Sequence, residues 1–128
     1  MRNTVTKLRA SDGALLGTFA VGENPVGVAF DGTSVWVANS NSNTISRQRP
    51  KHGKITGTFA VGSSPQFIAF DGTNLWVTNL GSNNLTKLRD CDGEVLGTFP
   101  TGAAPVGIAF DSANVWTANN IDGSVSKR

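Results

Sequence analysis

The sequence predicts an all-β protein, a β-propeller with three four-stranded blades of 40 residues in the chain, and three observations predict it. The tryptophans stand at Trp36, Trp76 and Trp116, and the same 40-residue offset links Gly13, Gly53 and Gly93, and Pro25, Pro65 and Pro105. Residues 3–42 and 43–82 are identical at 20 of 40 aligned positions, which marks an internal duplication. The hydrophobic pattern then chooses strands over helices. Val26–Phe30 is short and β-branched, Ser34–Asn39 follows almost at once, and no window of ten residues keeps a helical period.

Each strand of the repeat follows from its own residues. Asn3–Arg9 alternates as a half-buried strand does, and Asp12-Gly13 signals a two-residue hairpin turn. Leu15–Val21 is the returning strand, closed by Gly22. With the strands of a blade lettered A (innermost) to D, strand A is Val26–Phe30, B is Ser34–Asn39, C is Asn43–Arg49 and D is Lys54–Val61. The chain therefore reads C-D, A-B-C-D, A-B-C-D, A-B: one partial propeller over residues 1–128, with repeats at 3–42, 43–82 and 83–122. Residues 123–128 resemble the start of a further C strand.

Both faces of strand B are apolar, Val35 and Val37 on one side and Trp36 and Ala38 on the other, as a blade packed between two neighbours requires. Phe19, Trp36, Phe59, Trp76, Phe99 and Trp116 are expected to form the core between blades. An open wedge exposes two such faces and two unpaired edges, and propellers begin at about four blades. The chain is thus expected to form a homo-oligomer in which the A–B hairpin of one copy takes up the C–D hairpin of another. A dimer gives six blades and is favoured; a trimer gives nine. Ser124–Arg128 competes with a partner's Asn3–Arg9 for the same edge.

Charged residues make up 16% of the chain and the net charge is +2, too small to imply nucleic acid as a partner. The basic pairs Lys7/Arg9, Arg47/Arg49, Lys87/Arg89 and Lys127/Arg128 fall at matching positions and are read as a solvated outer rim. No run approaches the ~20 apolar residues of a membrane-spanning helix, and Met1–Thr4 lacks the apolar core of a leader. No membrane association and a cytoplasmic location are therefore expected.

The segments Pro25–Phe30, Val35–Asn39 and Ser42–Ile45 resemble the YVTN-type propeller repeat and the streptogramin (virginiamycin B) lyase-like propellers. The lyase resemblance implies catalytic histidine and acid residues around a metal near the top of the channel. His52 is the one histidine and stands in a C–D turn, where the other repeats carry Asp12 and Asp92, so the lyase activity is not carried over.

Three candidate sites remain. Asp31, Asp71 and Asp111 recur at the A–B turn, where a ring of carboxylates suits a cation, although Asp in such turns more often caps its own backbone. Glu23, Asn39, Gln66, Asn79 and Asn119 lie on the channel-entrance face and are candidates for binding a small molecule or peptide. Cys91, flanked by Asp90 and Asp92, is not read as a nucleophile. The function expected is a self-assembling, non-catalytic scaffold, not an enzyme, with no cofactor and with itself as partner. A lyase-like enzyme, or a fragment or engineered protein showing how propellers grow by duplication, are the alternatives.

Overall fold

Short runs of Val, Ile, Leu, Thr and aromatic residues, bounded by Gly, Asp and Asn, form thirteen strands in the computed structural model, which describes residues 3–128. Met1 and Arg2, part of the segment read for a leader, lie outside the described residues. The first sheet pairs β1 (Thr4–Leu8) with β2 (Leu15–Ala20). The second is β3 (Pro25–Phe30), β4 (Val35–Asn39), β5 (Thr44–Gln48) and β6 (Ile55–Ala60). The third is β7 (Pro65–Phe70), β8 (Asn74–Asn79), β9 (Asn84–Arg89) and β10 (Val95–Pro100). The fourth is β11 (Pro105–Phe110), β12 (Val115–Asn119) and β13 (Ser124–Lys127). All neighbours are antiparallel.

Two details differ from the sequence reading. The C–D connection is not a two-residue turn: Arg9 N–H donates to Ala14 C=O (2.8 Å) and Gly13 N–H to Arg9 C=O (2.7 Å), leaving a four-residue loop. Asp12 explains the widening, because its Oδ1 accepts the Ala14 N–H at 3.0 Å and holds the chain open beyond Gly13, which has φ of 75°. The tail is the second difference. Residues 124–127 pair with β12 and fill the C position of the fourth sheet, so that sheet is A-B-C and not an A–B hairpin.

Sheets pack face to face, and the inner strands β3, β7 and β11 lie side by side. Between the second and third sheets, Trp36, Ile45, Leu75, Val77 and Leu88 are wholly buried, with Ile68 and the partly buried Phe59 beside them. Trp76, Leu85 and Val115 begin the same core between the third and fourth. The inner strands come close at Gly27, where a Cβ would stand 2.3 Å from the Gln66 carbonyl oxygen and 2.7 Å from Phe67 Cα. Among the described residues no helix is long and apolar enough to cross a membrane.

Candidate functional site

One face is built from the loops that precede the A strands and those between B and C. Each A-strand loop is tied down twice. Glu23 N–H donates to Ser42 Oγ (2.9 Å) and Asn24 N–H to Asn3 Oδ1 (3.0 Å); Ser63 to Ser82 (2.7 Å) and Ser64 to Asn43 (3.0 Å) repeat the pattern. The channel-entrance candidates then divide. Asn39, Asn79 and Asn119 are buried, and their amide nitrogens donate to Ser46 (2.8 Å), Thr86 (2.8 Å) and Ser126 (2.9 Å) on the neighbouring C strand. Asn39 Oδ1 also accepts the Gly22 N–H at 3.1 Å, so this side chain locks the blade instead of facing a ligand. Glu23 is exposed, and Gln66 reaches across to Ser40 of the adjoining sheet (3.1 Å).

The recurring aspartates sit at the opposite end. Asp31 Oδ1 accepts the N–H groups of Thr33 (2.8 Å) and Ser34 (2.7 Å), while Oδ2 accepts the Trp36 indole N–H at 2.9 Å. Asp71 and Asp111 repeat this with Trp76 (2.8 Å) and Trp116 (2.7 Å). Both oxygens serve the turn, and among the described residues no group of three or more His, Cys, Asp or Glu gathers as a metal site would need. Burial pushes Asp71 up, but the Asn74 N–H, the Trp76 indole and the Thr73 N–H outweigh it and hold the carboxyl below its usual 3.8. For Asp111 the Trp116 indole leads, with the Asn114 and Ala113 N–H groups, and the carboxyl is held at about 2.

These depressed values give a sign to the pH dependence. The ionised form is favoured in the fold, so its contribution is whole above 3.8 and is lost as pH falls toward about 2. Thermal melts are expected to drop over that window. Asp71→Asn keeps the backbone acceptor but turns an amide nitrogen toward the Trp76 indole. It is expected to cost about 1–2 kcal/mol at neutral pH. A variant as stable as the parent in urea would show that the indole bond contributes nothing.

The basic rim does more than face solvent. Arg47 lies over both the Trp36 and Phe59 rings (5.6 and 5.5 Å), Lys87 over Trp76 (5.1 Å) and Lys127 over Trp116 (5.5 Å). Arg47 also reaches forward into the next sheet, its Nη1 to Cys91 C=O (3.0 Å), and Lys7 of the first sheet does the same, Nζ to Pro50 C=O (2.9 Å). Alternation predicts where they point, but their forward reach depends on sheet packing that a linear pattern does not carry. His52 stays within its own turn, its Nδ1 accepting the Lys54 N–H at 3.3 Å.

The two ends of the array are matched. Trp36 and Trp76 each have a phenylalanine 5.7 Å away, Phe59 and Phe99, supplied by the D strand of the same sheet. Trp116 has no D strand beside it in the fourth sheet and is 39% exposed, whereas it was expected in the core. At the other end, a groove of about 340 Å³ is lined by Val5, Phe19, Val28, Val35 and Gln48. Shifted by 40 residues these become Ile45, Phe59, Ile68, Leu75 and Leu88, the surroundings of Trp36. The groove is a tryptophan site without its tryptophan.

No protein-family model and no curated protein matches the chain. Solved structures do. Hydrazine synthase of Kuenenia stuttgartiensis superposes with a TM-score of 0.87 at 21% identity, over 98% of this chain and 39% of that one. A catalytically inactive variant of virginiamycin B lyase from Staphylococcus aureus, with quinupristin, gives a TM-score of 0.82 at 26% identity, over 98% and 44%. A streptogramin B lyase gives 0.74 at 21%, over 98% and 47%. The fold is that of a β-propeller. The four sheets are its blades, and the chain spans less than half the length of each of these structures.

The expectation that the chain is not an enzyme is overturned by the same comparison, because the structures it resembles are a synthase and two lyases. That expectation rests on the single histidine and the lack of a positioned base and acid, and the chain spans 44% of the lyase variant it resembles. One fold hosts many functions, so the composition of the repeats does not by itself exclude catalysis.

Proposed function

We propose that the chain is a self-assembling propeller platform, whose half-formed first and last blades are completed by copies of itself. The observation that carries this is the matched pair of ends: an exposed Trp116 lacking its phenylalanine, and a groove around Phe19 that repeats the Trp36 site without its indole. Exposed Leu15 (67%) and Val28 (55%) at the first face and Val125 (63%) at the last add apolar surface that association would cover. Two copies, each with two whole blades and two partial ones, give a ring of six. Light scattering after gel filtration is expected to report twice the 13.4 kDa chain mass. A stable particle of 13.4 kDa at all concentrations would refute the reading.

The ring so formed presents Glu23, Gln66 and the loops around them on one face, the surface on which a small molecule or peptide would bind. The 26% identity to a lyase variant solved with quinupristin favours quinupristin as the first ligand to try. Titration calorimetry of the assembled protein with quinupristin tests this, and absence of heat across a millimolar range removes that ligand.

A further inference from the structure

We propose that β13 is an exchangeable strand that holds the β12 edge until β1 of a second copy displaces it. The inference rests on the self-assembly proposed above and names its mechanism. β13 pairs with β12 through Trp116↔Lys127, Thr117↔Ser126, Ala118↔Val125 and Asn119↔Ser124. The register equals that of β5 on β4, where Trp36↔Arg47, Val37↔Ser46, Ala38↔Ile45 and Asn39↔Thr44 are opposed. Forty-residue spacing places Thr4, Val5, Thr6 and Lys7 of β1 at the same four positions. β13 (Ser-Val-Ser-Lys) thus imitates β1 (Thr-Val-Thr-Lys) in hydroxyl placement, its central valine and charge, without the branching of the threonines.

Every bond that β13 makes through these side chains has a counterpart available from β1. Asn119 Nδ2 donates to Ser126 Oγ at 2.9 Å, and Thr6 offers the hydroxyl that Thr86 offers to Asn79 at 2.8 Å. Lys127 lies over the Trp116 ring, and Lys7 carries the same ammonium. β1 also brings what β13 lacks. Its hairpin partner β2 delivers Phe19 to Trp116, as β10 delivers Phe99 to Trp76. Its turn carries Gly13, whose Cβ side is empty, whereas Gly53 and Gly93 are each covered by a phenylalanine of the preceding blade (Phe19 and Phe59). Phe99 is the side chain placed to cover Gly13 of a second copy. The exchanged junction thereby continues an interface the chain already makes between its own blades.

Because β13 is satisfied in place, exchange requires the strand to open first. Its outer edge carries no paired strand and Val125 is exposed, so opening must break its bonds to β12 and the hold of Arg128 on Pro100 C=O (2.7 Å) but no bonds to a D strand. Two variants of the full chain in a Cys91→Ser background test this, both carrying Ala118→Cys. With Val125→Cys, oxidation ties β13 to β12 within one chain. With Val5→Cys, oxidation links chains only if β1 of one copy lies on β12 of another. The expected result is that the first variant loses assembly when oxidised and regains it with reductant, while the second gives covalent chains on a denaturing gel. Assembly of the oxidised first variant equal to its reduced form overturns the exchange and leaves self-assembly standing. No assembly of any reduced variant or of the parent overturns the self-assembly reading itself.

Discussion

Trp36→Ala is expected to destabilise the protein by about 4 kcal/mol in urea titration, the cost of emptying a large buried aromatic site. Trp36 is fully buried against Ile45, Leu75 and Leu88, stacks on Phe59 at 5.7 Å, and donates to Asp31. Truncation would remove the packing, strand the Asp31 carboxylate without one donor, and leave Arg47 without the ring it covers. Trp116→Ala makes the contrasting case. In the isolated chain that indole is 39% exposed and has no phenylalanine, so its loss should cost far less stability but should abolish association. Equal losses of stability from both variants, with assembly unchanged, would show that Trp116 has no role at a junction.

Gly27→Ala is expected to cost about 2–3 kcal/mol, at the upper end for overpacking, because the obstacle is backbone. The added methyl would stand 2.3 Å from the Gln66 carbonyl oxygen and 2.7 Å from Phe67 Cα, so the inner strands β3 and β7 would have to separate. Gly107→Ala is the control. In the single chain the nearest atom to its Cβ is Ala118 Cβ at 3.9 Å, ordinary contact, so under conditions where the chain is unassociated that variant should melt within about a degree of the parent. In the proposed assembly, by contrast, the methyl would face a second copy's β3 as Gly27 faces β7. If Gly27→Ala is equally silent, the inner strands are not as close as described.

The blade architecture was legible because its causes are local and repeated. Pro, Gly-bounded β-branched runs and tryptophans at constant spacing fix strand, turn and buried face together, and β1, β5, β9 and β13 begin 40 residues apart at Thr4, Thr44, Asn84 and Ser124. The turn at Asp12-Gly13 is longer than the dipeptide alone signals, since Asp12 caps Ala14 and the dipeptide does not show it. The placement of residues 124–127 needed competition between two strands for one edge, and pattern alone gives both the same claim. Asn39 shows the limit at the candidate site. A polar residue at the end of a strand reads equally as a ligand contact or a lock, and only the Ser46 and Gly22 bonds decide for the lock. The forward contacts of Lys7 and Arg47 were invisible because they join residues 43 and 44 positions apart.

Those forward contacts give the array a direction. The first two blades each extend a cation to a carbonyl of the next, Lys7 to Pro50 and Arg47 to Cys91, while Arg128 of the last sheet reaches back to Pro100 C=O. Two leading ends brought together would set cation against cation; two trailing ends would set acceptor against acceptor. In the self-assembly proposed above, copies would therefore join head to tail, and a head-to-tail contact repeated with a fixed rotation has two outcomes, a closed circle or an endless spiral. The turn made per blade selects between them. A substitution that changes that angle slightly, with no loss of any bond, would convert a discrete particle into a fibre.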